Sequence, residues 1–486
     1  MNRFLFAVSA CALVFAAPVM AQEEGDTQQN AAAGPARTTG SMASRADISR
    51  HDAAKAAGFR ALHLCTGLFT SEMSEDLVRA TLSRSTKLPG FEETIDQDGK
   101  YVAVSYLDDM PPRYAVFRPN MGCTQLPIGA DLTIADNLTP WPADLETPNL
   151  DDQPWPMGDV DAAAEIDADS KAALEAVLDV AFEDQAGKYK GDTWGVAIVK
   201  DGKIIAERYA EDEGYGPHVS ARTNSMCKSL SASVVGVGVR KGLVDINEPA
   251  PLAAWRTPGD PRGKITINDM LHMASGLWTS GAGNPQRDIY GSGAPVSEIS
   301  VLNMIDAEPG TQFVYSGSDT IMSVRAVREA FDDDAAWVSF PHRELMWKIG
   351  MTRTVMETDW RNDFLGSGQC WSTVRDFGRL GLLYLNDGKW NGEQILPADW
   401  SEYVSTYAPA QPGSHTTGSA GYGAQFWLYD ERQGLQSPGY SAAGAYGQYA
   451  MIVPGENLVV VRRGLDVGAG FNIASFTADV IDALEK

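Results

Sequence analysis

The sequence predicts an α+β fold, in which an antiparallel sheet assembled from both ends of a large domain is flanked by helices and a helical region. Three observations predict it. Two apolar runs at 194–199 and 204–209 flank an Asp-Gly turn and form a hairpin signal. A second hairpin signal occupies 448–461, close to the C-terminus. Between the two hairpins the patterns are mainly helical, so one sheet built from both chain ends is expected.

The chain begins with a segment that is typical of a secretory signal. Residues 1–21 carry an early charge at Arg3, an apolar run from Phe4 to Val19, and small residues before the expected cleavage site. The run is shorter than the roughly 20 residues that span a membrane. Cys11 ends a lipoprotein-like tetrapeptide, so its lipidation stays an open alternative. We therefore expect an exported protein, periplasmic or secreted, without a membrane span.

Four segments follow the signal. Residues 22–50 are rich in Gln, Ala, Gly, Thr and Ser, and we expect a disordered linker. Residues 51–130 form a small N-terminal module, with helical patterns followed by two alternating stretches, whose function is not predicted. Residues 131–165 form a linker rich in proline and acids, expected to be extended rather than packed. Residues 166–486 form the large domain, which is long enough for a substantial core.

The elements of the large domain can be predicted in order. A helix over 170–182 precedes the first hairpin, and an apolar stretch over 229–239 predicts a buried helix. Thr373, with Asp376 three residues later, is typical of a helix start. A closing helix is expected over 474–484. These helices would cover the sheet that the two hairpins build.

Composition and charge exclude several classes of function. Lys and Arg number 39 and Asp and Glu 64, which gives a net charge of −25 without a basic cluster. Nucleic acids and anionic membranes are therefore not expected as partners. The six histidines have no metal-binding spacing, and the chain has no phosphate-binding loop motif, so we expect no metal and no cofactor. Cys65 and Cys123 could pair in an exported chain, whereas Cys227 is interpreted as a packed small residue.

The tetrapeptide from Ser225 to Lys228 is the most informative motif. It is the only place in the chain where a lysine follows a serine by three residues. Residues three apart share a helix face, so the hydroxyl and the amine can meet across one turn. A buried amine has a lowered pKa and can accept a hydroxyl proton when it is neutral. The chain has no G-x-S-x-G motif, so Ser225 is the candidate nucleophile.

From about residue 170 onward the chain resembles the serine β-lactamase and penicillin-binding protein superfamily. The likeness is to its class C-like branch of esterases and 6-aminohexanoate-dimer hydrolases. Five stretches in family order carry it, and they cover 265–277, 309–317, 375–386, 390–397 and 421–423. The resemblance implies a β-lactamase/transpeptidase-like fold and an acyl-enzyme mechanism. It assigns the nucleophile to Ser225, the motif lysine to Lys228, and the proton-relaying tyrosine to Tyr315.

The sequence departs from the family pattern at two places. Gly317 stands where the family has an asparagine, and Ser318 or Asp319 could substitute for it. The third family element maps onto Ala445-Tyr446-Gly447, where the glycine is kept and the carboxylate-binding cation is not. The resemblance then implies an oxyanion hole formed by the backbone N–H groups of Ser225 and Gln448. Arg462 is the first alternative to consider for a carboxylate receptor.

The substrate is predicted only as a class. Trp278, Tyr290 and Trp371 follow family-like segments and could line an apolar slot for a small-molecule substrate. The resemblance implies a secreted serine hydrolase of amides or esters. Two alternatives stay open, a β-lactamase or D,D-peptidase, and a catalytically weak envelope-binding module. The oligomeric state is not predicted.

Overall fold

The computed structural model describes residues 49–71, 73–85, 90–183, 187–279 and 286–485. The predicted signal, Cys11 and nearly all of the predicted linker before residue 50 lie outside the described residues. All the described residues belong to one compact unit, so the N-terminal module and the large domain pack as one body.

The N-terminal module consists of two helices and a four-stranded sheet. Ser49 caps the first helix by accepting a hydrogen bond from the Asp52 N–H at 3.1 Å. This helix packs a face of buried alanines against the sheet. The strands follow one another in sheet order and are all antiparallel. The elements are α1 (Arg50–Phe69), α2 (Glu75–Ser85), β1 (Glu92–Asp96), β2 (Tyr101–Ser105), β3 (Arg113–Arg118) and β4 (Gly122–Gln125).

Two disulfides are present among the described residues. Cys65 on α1 is bonded to Cys123 on β4, which is the pair that the sequence suggested. The second bond joins Cys227 to Cys370, with Cα atoms 5.4 Å apart. Cys227 is buried, as expected of a packed small residue, but it is also disulfide-bonded, which was not predicted. The fold brings together two segments separated by 143 residues, and no local sequence signal reports that proximity.

Glu357 of the large domain is buried against the N-terminal module. Its carboxylate accepts hydrogen bonds from the Thr66 hydroxyl and from the Cys123 N–H. Burial raises the pKa of Glu357 from 4.5 to about 8. The native state therefore holds this proton between those two pH values, whereas the unfolded chain releases it.

Changing Glu357 to Gln should remove this pH dependence. Because a raised carboxyl pKa gives stability that is lost as pH rises, the stability of the wild type relative to Glu357→Gln should fall between pH 4.5 and about 8. The limiting slope is about 1.4 kcal/mol per pH unit. Urea unfolding at several pH values measures it. Glu298→Gln, at a half-exposed surface ion pair, is the control and should not change the pH dependence. A parallel dependence in wild type and Glu357→Gln would contradict the prediction.

The segment 131–165 is packed against the large domain, contrary to the expectation of an extended linker. Trp155 is buried, and its indole N–H donates to the Gly202 carbonyl at 2.9 Å. The ring of Trp141 lies against that of Trp347, with centroids 5.8 Å apart. The prolines make the backbone extended, but these tryptophans supply enough apolar surface to hold it on the domain.

The large domain contains a seven-stranded antiparallel sheet built from both of its ends, so the predicted α+β class is confirmed. The strand order is β12-β13-β14-β15-β16-β5-β6. The strands from the start of the domain are β5 (Thr193–Lys200) and β6 (Lys203–Tyr209). Those from its end are β12 (Gly421–Tyr422), β13 (Trp427–Tyr429), β14 (Gly439–Gly444), β15 (Gln448–Val453) and β16 (Leu458–Gly464).

Helices cover both faces of this sheet. Val196 and Ile198 face a core shared with α3 (Ala168–Ala181) and α12 (Ile473–Leu484). Ala197 and Val199 alternate with them and face the opposite core, which includes Phe377. On that side lie α4 (Met226–Arg240) and α10 (Val374–Leu385).

The remaining elements form the helical region and its connections. As predicted, the helix after Ser225 is buried all round, and it packs against the helix formed by Gly317–Arg328. Within the described residues, no helix has the length and apolar character needed to cross a membrane. The helices are α5 (Ile267–Leu271), α6 (Gln286–Ile289), α7 (Val296–Ser300), α8 (Gly317–Arg328), α9 (Asp334–Pro341) and α11 (Trp400–Ser405). The short strands are β7 (Ala221–Arg222), β8 (Val355–Met356), β9 (Cys370–Ser372), β10 (Lys389–Trp390) and β11 (Glu393–Gln394).

Candidate active site

Ser225 and Lys228 lie together at the N-terminal end of α4. Ser225 immediately precedes the helix with helical backbone angles, which places its side chain one turn from Lys228. The Lys228 Nζ and Ser225 Oγ atoms are 3.2 Å apart. Both residues are buried, with 1% and 8% of their surfaces exposed. The two side chains are therefore close enough for proton transfer and are shielded from solvent.

The amine of Lys228 has a second fixed neighbour that the sequence did not reveal. Its Nζ donates to the backbone carbonyl of Ser367 at 2.9 Å. Ser367 lies between Gly366 and Gly368, and this glycine pair is the one sequence signal that could have marked a close backbone approach. A Cβ on either glycine would press on a neighbouring side chain. The carbonyl thus holds the lysine amine beside the serine hydroxyl.

Tyr315 forms another wall of the site. Its ring centroid lies 4.7 Å from the Lys228 Nζ atom. The ring also packs against Trp427 and Tyr422, with centroids 5.5 Å and 6.0 Å away. Ser316 caps α8 by accepting from the Asp319 N–H, and this cap fixes the loop that carries the tyrosine. The structure therefore brings together the serine, lysine and tyrosine that the resemblance singled out.

Ser318 and Asp319 do not replace the missing asparagine side chain. The Ser318 hydroxyl accepts from the Ser300 hydroxyl at 3.3 Å, and the Asp319 carboxylate accepts from the Ser275 hydroxyl at 2.9 Å. Burial raises the pKa of Asp319 to about 7. Both side chains are thus bound within the helical region, because the first turn of α8 directs them there.

The β14–β15 hairpin approaches Ser225 at a residue that differs from the prediction. A Cβ on Gly444 would lie 3.0 Å from the Ser225 amide nitrogen, so Gly444 is the glycine packed against Ser225. Tyr446 and Gly447 instead have φ values of 61° and 77° and form the turn. Gly447 lies against Arg462. The next residue after the packed glycine is Ala445, whose carbonyl accepts from the Asn224 side chain at 2.9 Å.

The side chains of Gln448 and Arg462 form hydrogen bonds that stabilise the structure beside this turn. The Gln448 amide group donates to the Tyr446 carbonyl at 2.9 Å and accepts from Arg463 at 2.6 Å. Arg462 is fully buried and donates to Asp466 at 2.8 Å, to Thr193 at 2.9 Å and to the Gly447 carbonyl at 2.7 Å. A guanidinium committed in this way is not available as a carboxylate receptor.

The three aromatic residues predicted to line a substrate slot have different surroundings. Trp371 is 1% exposed on β9, and its ring centroid is 5.1 Å from that of His63 in the N-terminal module. It is therefore a packing residue, because the module covers it. Trp278 is half-buried, and its backbone N–H donates to the Met304 carbonyl at 2.7 Å. Tyr290 is the one joined to the site, through a hydroxyl 2.6 Å from Ser367 Oγ.

The chemistry available here is that of side chains and backbone amides. Among the described residues, no three His, Cys, Asp or Glu side chains are grouped so that they could hold a metal ion. A neutral lysine at 3.2 Å can accept the proton of the serine hydroxyl. The N-terminus of α4 presents backbone N–H groups beside that hydroxyl, where they can stabilise negative charge.

Comparisons with known proteins identify a family and solved structures of similar fold. A family model described as Beta-lactamase matches residues 178–462. The chain is similar to a Bacteroides dorei protein assigned provisionally as a beta-lactamase, with 20% identity, a TM-score of 0.52, and coverage of 65% of this chain and 98% of that one. It is similar to a family VIII carboxylesterase, with 14% identity, a TM-score of 0.51, and coverage of 66% and 98%.

A third similar structure is a Bacillus anthracis protein assigned provisionally as a 6-aminohexanoate-dimer hydrolase. The identity is 20% and the TM-score 0.50, with coverage of 72% of this chain and 88% of that chain. No curated protein sequence matches the chain. At these identities the structural likenesses establish the fold, whereas the family match spans more than half of the chain. The chain therefore belongs to the beta-lactamase family of serine hydrolases.

Proposed function

We propose that this protein is an exported serine hydrolase that cleaves amide or ester bonds through an acyl-enzyme on Ser225. The observation that carries the proposal is the buried contact of 3.2 Å between Lys228 Nζ and Ser225 Oγ, with the ring of Tyr315 beside the amine. A serine hydroxyl is a weak nucleophile until an adjacent base removes its proton. The buried neighbour is a lysine, which can serve as that base when neutral.

The reaction then follows from these positions. Neutral Lys228 accepts the hydroxyl proton while Ser225 Oγ bonds to the carbonyl carbon of the substrate. The tetrahedral intermediate collapses as Tyr315 delivers its proton to the leaving amine or alcohol and takes the proton held by Lys228, so that Lys228 is neutral again and the acyl group stays on Ser225. A water molecule gives up a proton to the same base and attacks the acyl carbon. Cleavage of the Oγ–acyl bond, with return of the proton to Oγ, releases the acid.

Two backbone N–H groups stabilise the oxyanion in this proposal. One is that of Ser225, at the start of α4. We propose the N–H of Ala445 as the second donor in preference to that of Gln448, because Gly444 packs beside the Ser225 nitrogen. The positive end of the 15-residue helix adds a favourable field for the developing charge.

Neutral esters and linear amides are the proposed substrates. The residues around the packed glycine Gly444 are alanines, and Arg462 is committed to Asp466. Among the described residues around Gly444, we therefore find no cation that would favour the carboxylate of a β-lactam or of a D-alanyl terminus. A carboxylesterase and a protein assigned as a 6-aminohexanoate-dimer hydrolase share this fold. Export is proposed from the N-terminal signal, and two disulfides support an oxidising compartment.

The proposal predicts that a fluorophosphonate labels Ser225 and that one serine carries all hydrolytic activity. The purified protein is labelled, and the adduct is located by mass spectrometry. Values of kcat/KM are then compared on an acetate ester, a 6-aminohexanoate dimer, nitrocefin and a D-Ala-D-Ala peptide. The acetate ester should exceed nitrocefin and the D-Ala-D-Ala peptide by about ten- to a hundred-fold, the value of one charge-assisted hydrogen bond.

The matched control is Ser233→Ala, which removes another buried hydroxyl of α4 that contacts Tyr384, whereas Ser225→Ala should abolish labelling and turnover together. An adduct on another serine would refute the assignment of the nucleophile. Nitrocefin as the best substrate would favour the alternative of a β-lactamase. Labelling at Ser225 without turnover of any substrate would favour the weak envelope-binding module.

A further inference from the structure

Tyr290 is connected to the lysine amine through a single residue. Its hydroxyl lies 2.6 Å from Ser367 Oγ, and the backbone carbonyl of Ser367 accepts a hydrogen bond from Lys228 Nζ at 2.9 Å. Ser367 is fully buried. A side chain that fixes the hydroxyl of Ser367 therefore also fixes the carbonyl that holds the amine.

The surroundings of Ser367 allow little freedom. On one side, the Ser231 hydroxyl of α4 donates to the Gly366 carbonyl at 2.8 Å. On the other, a Cβ on Gly368 would lie 2.8 Å from the Tyr290 hydroxyl oxygen. A Cβ on Gly317 would meet Ser367 Oγ at only 3.0 Å, closer than ordinary contact. The Tyr290–Ser367 pair thus occupies the space in front of Gly317, which accounts for the absence of a larger side chain there.

The N-terminal module holds the chain on the far side of Tyr290. Arg113 of β3 is fully buried and donates to carbonyls of the module at Ala54 and Leu126. The same guanidinium donates to the carbonyls of Gly291 and Ser292, at 3.1 Å and 2.9 Å. These two residues directly follow Tyr290, so its backbone is tied to the module.

A second contact links the module to the tyrosine ring. The guanidinium carbon of Arg222 lies 5.0 Å from the ring centroid of Phe59 on α1 and 5.5 Å from that of Tyr290. Arg222 is on β7, three residues before Ser225. The cation is therefore stacked between an aromatic residue of the module and one of the site.

We propose that Tyr290 is a positioning residue for the Lys228 base and that the N-terminal module holds Tyr290 in place. The inference rests on the proposed function, since it assumes that Lys228 accepts the Ser225 proton. In this view the module acts on the reaction without touching the substrate. Its contribution is the alignment of the amine with the hydroxyl, transmitted through Arg113, Arg222, Tyr290 and Ser367.

Tyr290→Phe should lower kcat for an acetate ester about ten-fold with little change in KM, the cost of one lost hydrogen bond. Ser367→Ala should do the same, and the double variant should be no worse than either single one. Tyr189→Phe is the control, since its hydroxyl bonds Asp479 on the opposite side of the sheet.

The module is tested with Phe59→Leu, which should reproduce part of the kcat loss with little change in KM. Phe69→Leu, on the same helix but packed against Phe117, is the matched control and should leave both constants unchanged. A wild-type kcat in Tyr290→Phe would overturn the inference, as would additive losses in the double variant. A rise in KM alone would assign Tyr290 to substrate binding instead. Fluorophosphonate labelling at Ser225 in each variant separates these results from a failure of the proposed function.

Discussion

Replacing Lys228 by alanine is expected to lower kcat for an ester substrate on the order of a thousand-fold. The reason is that the change removes the amine that takes the proton of the Ser225 hydroxyl, which lies 3.2 Å away in the wild type. Lys228→Arg should be nearly as damaging, because a guanidinium stays charged and cannot accept a proton. Single-turnover and steady-state kinetics on folded variants measure the effect.

The control for this experiment is Lys241→Ala at the other end of α4. Lys241 pairs with Glu344 at 2.8 Å on the surface, so its loss removes a lysine from the same helix without touching the site. Its kcat should equal that of the wild type. A folded Lys228→Ala protein with near wild-type turnover would show that another group activates the serine.

Removing the Cys227–Cys370 disulfide by the double change to alanine should cost about 5 kcal/mol in the free energy of unfolding. This value is the chain-entropy expectation for a cross-link across 143 residues. We also expect kcat to fall at temperatures where the protein stays folded. Cys227 lies between Ser225 and Lys228, and its bond fixes the first turn of α4 to β9. Urea unfolding and steady-state kinetics provide the two readouts.

The other disulfide supplies the comparison. Cys65→Ala with Cys123→Ala opens a cross-link of 58 residues and should cost about 4 kcal/mol by the same relation. Because that bond lies inside the N-terminal module and away from the catalytic helix, kcat should change much less. Equal losses of kcat in the two double variants would contradict a specific role for the bond at Cys227.

The parts of the site that sequence reasoning could find are those with local patterns. The contact between Ser225 and Lys228 follows from helical spacing, and the buried character of α4 follows from its apolar residues. The two hairpins follow from alternation and turn residues, even though their pairing joins opposite ends of the domain. Tyr315 came from resemblance, because nothing in its own neighbourhood marks it as part of a site.

What escaped prediction depends on contacts between distant segments. Ser367 reaches the lysine amine from 139 residues away, and Cys370 reaches Cys227 from 143 residues away. Gly444 and Gly447 show a different difficulty, since both lie in one hairpin and a sequence does not tell the turn glycine from the packed one. The packing of Trp141 was missed because prolines dominated the interpretation of its segment.

The sheet that joins both ends of the domain also determines the point during synthesis at which the residues of the candidate site can come together. Strand β5 is synthesised near the start of the domain, whereas its partner β16 ends only at Gly464. Gly444 likewise reaches the Ser225 nitrogen only after some 200 further residues have been made. A ribosome that has not yet added β14 thus carries a chain in which Ser225 lacks one wall of its site. The topology therefore makes assembly of the site depend on strands that are synthesised late in the domain.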